Sequence, residues 1–538
     1  MPAGRIGLKQ AAPGAAALAA VALLVAGALA GLVIESLGNL SAAWAAFDGY
    51  LARVAAFTLW QACLSTILSV GPALFVARAL SRHPEMPARR AVLALFAAPL
   101  ALPAIVAALG VLALLGRAGL LAGPLSFLVD GQWPGIYGLS GILIAHVFFN
   151  LPLAARLFLE ALDTVPADSW RLASQLGMGP RASFRFIELP VLRAALPGVA
   201  GLVFMLCVTS FTIVLTLGGG PKASTLEVAI YQALRFDFDP PRAVALTVVQ
   251  VGLTALIVFA LARLGGGFAA EPSVAVARRR YVQIGPIELC LNAILILAAT
   301  VFVAGPLMAV VVSGLNSDLA RLLSDPAVHR ATVTSLWLGL ASAIGATLLA
   351  WSFAAARSRF SAAKRSGASG ALERVFENGA SFILVVPPVV IGAGWFLLLR
   401  GRVDVLAIAP AMVVAVNAAM AAPFVMRTIR PAYDAAAIRH DRLAEQLGVS
   451  GWSRFRWIDW PVMRRPVFTG MAFAMALSLG DLGVIALFGS DAVQTLPYLL
   501  LGRMSAYRTN DAAGLALLLG MTCLCLMLLS DWLGRPKR

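Results

Sequence analysis

The chain has 538 residues, 60% of them hydrophobic and 13% charged, with a formal net charge of +16 and a mean hydropathy of +0.87. Soluble domains average about 45–50% apolar and about 25% charged residues, so this composition excludes an ordinary water-soluble fold and predicts a polytopic membrane protein. The positive excess does not argue for nucleic acid, because the basic residues fall in short stretches between apolar runs, the pattern that orients membrane proteins.

Taken in chain order, the apolar runs are about 20 residues or longer and show no period-two alternation, so they read as spanning helices rather than barrel strands. The first run, Ala11 to Ile34, follows Arg5 and Lys9 and exceeds the 7–15 apolar residues of a secretory signal, so a retained span is expected. The first half then gives spans near 54–79, 91–115, 136–158, 195–217 and 243–263, and the second half near 286–313, 332–356, 379–399, 405–427, 466–488 and 512–533. The fold expected is therefore all-α, with about 12 transmembrane helices. Residues 1–264 form a first half and 286–538 a second, joined by a linker at 265–285 that carries Gly, Pro and the Arg278–Arg280 triplet. Arg5 and Lys9, Arg78 to Arg90, Arg357 to Arg365 and Arg535 to Arg538 fall on one side if the spans alternate, which places both termini in the cytoplasm.

Between apolar runs of the first half lies "RLASQLGMGPRASFRFIELP", Arg171 to Pro190. It returns in the second half as "RLAEQLGVSGWSRFRWIDWP", Arg442 to Pro461. A shift of 271 residues aligns the two, with twelve identities in the 23 positions 171–193 and 442–464. The same shift pairs Pro152 with Pro423, Arg156 with Arg427 and Asp163 with Asp434, so the halves read as a parallel repeat. In the first copy Pro166 and Asp168 predict a turn and an N-cap, with Ser169 as the alternative cap. A short helix follows that carries Leu172, Ala173 and Leu176 on one face and stops at Gly177. Ala182 to Glu188 then leads to Pro190. The second copy predicts the same order: Asp441, then Leu443, Ala444 and Leu447, then Gly448, then Pro461. An amphipathic helix resting on lipid headgroups would account for one such loop. Two matching loops at equivalent places favour docking knobs for a two-fold cytoplasmic partner.

The pattern R-L-A-x-x-x-G, nine residues, then I-x-[LW]-P resembles the cytoplasmic loop motif of ABC-importer permeases, E-A-A-x-x-x-G-x(9)-I-x-L-P. Ala173, Gly177, Ile187, Leu189 and Pro190 match in the first copy, and Ala444, Gly448, Ile458 and Pro461 in the second, where Trp460 replaces Leu. Arg171–Leu172 and Arg442–Leu443 stand where the motif has Glu-Ala. The resemblance implies a type I ABC importer permease fold in the bacterial inner membrane, with coupling loops at 160–193 and 431–464. It implies two copies of a cytoplasmic ABC ATPase seated on the Leu172/Leu176 and Leu443/Leu447 faces, a periplasmic solute-binding protein, and transport by alternating access. ATP and Mg would be used by the partner ATPase, with no cofactor bound by this chain. The stretches 209–240 and 478–519, together with the fused layout, are similar to permeases of thiamine and thiamine pyrophosphate, with ferric-iron permeases as the nearest rival.

Each loop leads into a span, 195–217 or 466–488, which the resemblance makes pathway-lining. Asp481 lies within the second, and a shift of 271 places Ser210 opposite it in the repeat. An intramembrane carboxylate costs about 2.5–3.5 kcal/mol on insertion scales, so Asp481 is expected either to face cargo, where thiamine's fixed positive charge would suit it, or to cap a broken helix or pair with a neighbouring donor. Thr209, Ser210 and Thr212 offer hydroxyls, or bond back to their own helix. His146, Asn150, Gln250 and Asn417 read as helix-to-helix bonds. The five cysteines, Cys63, Cys207, Cys290, Cys523 and Cys525, read as small apolar residues rather than a metal or disulfide set. "LTLGGGPKAS" lacks the G-x-x-x-x-G-K-[ST] spacing and reads as an extracytoplasmic turn. No H-E-x-x-H or G-x-S-x-G pattern supports catalysis. A gradient-driven secondary transporter would need more titratable groups in its spans than Asp481 supplies.

Overall fold

In an apolar surrounding the backbone must bond to itself, and the chain does so with helices. The computed structural model describes residues 8–38, 40–127, 131–263, 285–364, 383, 386–449, 451–490 and 493–534, and contains no strand among them. The expectations for Arg5, Arg365, Arg535, Lys537, Arg538 and the linker through Gln283 and Ile284 lie outside the described residues.

The principal helices are α1 Leu8–Gly38, α2 Gly49–Arg82, α3 Arg89–Ala101, α4 Ala104–Leu115, α5 Leu139–Asp163, α6 Ala167–Gln175, α7 Leu189–Val208, α8 Phe211–Leu217, α9 Leu226–Arg235 and α10 Pro240–Arg263. The second half continues with α11 Pro286–Leu315, α12 Pro326–Lys364, α13 Pro388–Leu399, α14 Val405–Gln446, α15 Trp460–Gly480, α16 Gly483–Phe488, α17 Leu496–Ser505 and α18 Thr509–Gly534.

Among the described residues, nine helices are long and apolar enough to cross a membrane, or ten if α3 and α4 count as one span. The twelve expected spans are therefore not all found. The run 91–115 bends by 113° between α3 and α4. The cause is Pro103, which holds φ at −55° and keeps Leu102 extended with ψ 141°. Of the run 379–399, the helix described is the twelve-residue α13, which begins at Pro388 with Pro387 as its N-cap residue. The run 466–488 divides at Asp481 into α15 and α16.

The chain forms two compact units. One comprises residues 48–229 and 252–316, and the other residues up to 47, 230–251 and 317 onward. This cut differs from the sequence repeat, because the first helix of each sequence half packs within the unit that holds most of the other half. In the unit of residues 48–229 and 252–316, α2 packs on α5 and α7, while α11 packs on α4, α2 and α3. In the other unit α1 packs on α13 and α12, and α12 packs on α14 and α15. Trp395 Nε1 of α13 donates to Leu24 O of α1 at 2.8 Å.

Candidate functional site

The repeated loop of the first half begins where Pro166 stops α5. Pro166, with ψ 143°, is the N-cap residue of α6, and no side chain caps that end. Asp168 sits in the first turn and pairs instead with Arg171 at 3.5 Å, on the surface, so the expected Asp168 cap is replaced by proline's fixed φ. The helix ends at Gly177, φ +63°. Met178 N–H reaches back to Ala173 O at 3.0 Å and Gly177 N–H to Ser174 O at 3.1 Å, the pair of bonds that closes a helix through a left-handed residue. The second loop ends identically. Gly448 has φ +65°, and Val449 N–H bonds to Ala444 O at 2.9 Å.

The second loop begins differently. No break separates it from the preceding span, because α14 runs unbroken for 42 residues and includes Asp441 to Gln446. The shift of 271 puts Ala437 where Pro166 stands, in the run Ala435–Ala436–Ala437. Without proline's missing donor and with alanine's favourable propensity, the helix continues.

The three apolar positions of each loop divide between two faces. Ala173 and Ala444 are buried, as is Trp170, whereas Leu172 is 56%, Leu176 69%, Leu443 54% and Leu447 68% exposed. Ala173 thus belongs to the inward face with Trp170 rather than to the face of the leucines. Each loop presents two leucines one helical turn apart, and both pairs are exposed. Ile187 and Ile458 are half-buried. Pro190 and Pro461 follow π-helical turns at Phe184–Glu188 and Phe455–Asp459. There Leu189 N–H bonds to Phe184 O, and Trp460 N–H to Phe455 O, each five residues back. Proline cannot donate to the carbonyl four residues earlier, and a widened turn absorbs that loss.

Beyond each π turn the span is a helix of about 20 residues that then breaks. In the first half α7 ends at Val208 and α8 begins at Phe211. In the second α15 ends at Gly480 and α16 begins at Gly483. The breaks fall at one register, Ser210 matching Asp481 under the shift of 271. A break frees carbonyls that need partners. Gln61 of α2 supplies one, its Nε2 donating to Cys207 O at 2.9 Å. Thr209 Oγ1 donates to Met205 O at 3.0 Å, so that hydroxyl is spent within its own helix. Ser210 is the N-cap residue of α8, half-buried, with no side-chain cap bond. Thr212 lies half-buried in the first turn of α8 and accepts Thr216 Oγ1 at its carbonyl, 2.8 Å. In the second half Asp481 Oδ1 accepts from Gly483 N–H at 3.1 Å and caps α16. Its Oδ2 is buried without a hydrogen-bond partner.

Other polar residues within the helices join neighbours. Ser65 Oγ and His146 Nδ1 are 2.9 Å apart, Asn150 Nδ2 lies 3.3 Å from Cys207 Sγ, and Asn417 Nδ2 donates to Ser478 Oγ at 3.0 Å. Two hydroxyls passed over in the sequence do structural work at the next element. Thr58 Oγ1 accepts from Leu226 N–H at 3.0 Å, and Ser335 Oγ from Leu496 N–H at 2.8 Å. Each caps the helix after a break, and only a repeat comparison of the second spans would have found them. The glycine-rich turn ends α8 at Leu217 and passes through Gly219 and Gly220 to a 3₁₀ turn at Pro221–Ala223. Among the described residues no group of three or more His, Cys, Asp or Glu is placed to hold a metal, and all five cysteines are free thiols.

Glu227, in the first turn of α9, is buried and its Oε1 has no hydrogen-bond partner. Burial pushes its carboxyl up from 4.5 to about 8. The folded chain therefore keeps a proton that the unfolded chain releases, and stability falls as pH rises from 4.5 towards about 8, then levels. Melting in detergent should show this slope, and Glu227→Gln, neutral at every pH, should flatten it. An unchanged slope in the variant would assign the pH dependence elsewhere.

The chain matches the family described as "Binding-protein-dependent transport system inner membrane component" twice, over residues 70–266 and 359–535. It is 56% identical over 519 residues to the thiamine transport system permease protein ThiP of Brucella abortus (strain 2308), covering 96% of this chain and 94% of that protein. It is 40% identical to the ThiP proteins of Salmonella typhimurium, over 97% of both chains, and Escherichia coli K12, over 89% of this chain and 88% of that one.

Proposed function

The chain belongs to the family of binding-protein-dependent transport system inner membrane components, and from that premise we propose that it is the membrane-spanning subunit of an ATP-driven importer of thiamine and its phosphates. The observation that carries the reading is the pair of loops, each closed by a left-handed glycine and each showing two uncovered leucines at matching positions. Two equal seats suit two copies of one ATPase, which hydrolyses the ATP, so this chain is a transport subunit and not an enzyme. A solute-binding protein would deliver cargo on the opposite side. The loops and both termini would then face the cytoplasm, as the positions of the basic residues imply. Thiamine as cargo is supported by the named relatives across nearly the whole chain.

The broken helices give the passage its chemistry. A break inside the bilayer turns backbone ends and a capping side chain towards a cavity, and such half-helix ends are where transporters hold substrate. Asp481 places a carboxylate at one break with an unshared oxygen, Oδ2, suited to thiamine's fixed cation. At the other, Ser210 offers a neutral hydroxyl. Thr209 has its hydroxyl committed to Met205, which leaves it a helix-terminating rather than a cargo-binding part.

Labelled thiamine uptake in cells with and without the ATPase tests the reading. Uptake that persists without the ATPase rejects it, and uptake of iron in place of thiamine rejects the cargo alone. Asp481→Asn sharpens the test. Asn caps a helix about as well as Asp, so α16 keeps its start while the charge is lost. Uptake should fall about tenfold, a change of about 1.4 kcal/mol, with ATPase co-purification unchanged. Asp481→Ala should do further damage by removing the cap too. Normal uptake in Asp481→Asn would reduce this residue to a capping role.

A further inference from the structure

The first loop is fastened to its spans through charge. In it, Glu188 closes the π turn and is fully buried. Its Oε2 accepts from Arg78 Nε at 2.8 Å and its Oε1 from Arg82 Nε at 3.0 Å. These arginines stand one turn apart at the end of α2, where cations suit the helix dipole. Both also reach Glu288 in the first turn of α11, Arg78 Nη2 at 3.1 Å from Oε1 and Arg82 Nη1 bonded to the same oxygen. Arg82 Nη2 further donates to Pro180 O at 3.2 Å, and the Arg78 guanidinium lies 4.9 Å from the Phe184 ring centre. Two cations and two anions thus tie the first loop to α2 and α11 through planar forks that fix direction as well as distance.

At the same register of the second loop stand Asp459 and Phe455. Asp459 pairs with Arg454 of its own loop at 3.4 Å. Phe455 meets Trp351 of α12 at 5.8 Å and stacks on Trp452 at 5.1 Å, and Trp351 also meets Tyr433 of α14 at 5.8 Å. Rings thus join Phe455 of the second loop to α12. Ring contacts tolerate sliding and tilting over a range of distances, while a buried ion cluster loses its balance when any one member moves away.

We propose that Arg78, Arg82, Glu188 and Glu288 form a positioning joint that carries movement of the first loop to α2 and α11. The first loop then passes on the motor's stroke through charge. The inference rests on the reading that these loops seat an ATPase. None of the four residues belongs to the exposed leucine faces, so a fault in the joint spares docking and damages transmission.

The test uses the assembled transporter in proteoliposomes with its ATPase and binding protein, and reads thiamine uptake per ATP hydrolysed. Glu188→Gln should keep ATPase co-purification but lower uptake per ATP at least about tenfold, because two arginines are left to share the single carboxylate of Glu288. Arg78→Lys, at a half-exposed position that tolerates the change, should lower it about threefold, since an ammonium cannot bridge both carboxylates as a fork does. It carries the test should Glu188→Gln fail to insert. An unchanged ratio in Arg78→Lys overturns the joint. Absence of ATP-driven uptake or of ATPase co-purification in the unaltered protein overturns the functional reading beneath it.

Discussion

Replacing Leu172 and Leu176 together by Asp should abolish ATP-driven uptake and release the ATPase from the first seat, while the protein still inserts in the membrane. The helix that carries these residues does not need them for its own packing. Trp170 and Ala173 face inward, and the two leucines are 56% and 69% exposed. Full burial of a leucine stabilises by about 1.5–3 kcal/mol, so one seat draws on several kcal/mol from this pair. Two aspartates forfeit that gain and bring unpaired charge to an apolar cleft, which costs more. With each 1.4 kcal/mol worth about a factor of ten, affinity at that seat should fall by more than about a hundredfold. Gel filtration of the solubilised complex and uptake in cells check both halves of the expectation. An ATPase that remains bound with normal uptake would remove the docking role from this loop. The same change at Leu443 and Leu447 should act at the second seat. There the helix is the end of α14 rather than a separate piece, so the second seat is attached to its span without a hinge.

The sequence made much of this site readable, and specific residues explain where it did not. The glycines at 177 and 448 and the leucine pairs were legible because a helix stop and a helical period are local signals. The grouping of Ala173 with the leucines was misleading because adjacent positions lie 100° apart on a helix, far enough for one to turn inward. The unbroken α14 was legible in principle, since Ala437 replaces Pro166, but identity after Arg442 suggested equal geometry before it. The breaks at 209–210 and 481–482 lie far from the prolines of their runs, Pro197 and Pro466. Asp481 was singled out by its charge, whereas the helix end around it depends on partners far along the chain, such as Gln61 for Cys207. The ion cluster joins residues 78, 82, 188 and 288, a set that no local pattern connects. The all-α, membrane-spanning class needed only composition.

Gly394→Ala should destabilise the unit containing α1, and more than Gly392→Ala does. A methyl at Gly394 would stand 2.1 Å from Ala28 O and 2.6–2.7 Å from the Ala28 backbone carbons. Backbone cannot rotate aside as a side chain can, so the helices must separate. A methyl at Gly31 would meet Gly394 O at 2.0 Å, so the crossing of α1 and α13 is built on the absence of both side chains. Small residues are how helices in lipid gain close packing, and Gly27 with Gly31 gives the four-residue spacing of such a face. Parting the helices also stretches the bond from Trp395 Nε1 to Leu24 O, now 2.8 Å. Overpacking costs about 1–3 kcal/mol, and weakening this half-buried hydrogen bond about 0.5–1.5 kcal/mol more. Melting in detergent should therefore drop by several degrees in Gly394→Ala. Gly392→Ala is the control, because its methyl would meet side chains alone, Leu487 at 3.1 Å and Phe488 at 3.7 Å. If both variants melt like the parent, α1 is not held by this crossing. If only Gly394→Ala falls and uptake falls with it, the chain's first helix is a working part of the unit formed mainly by the second half.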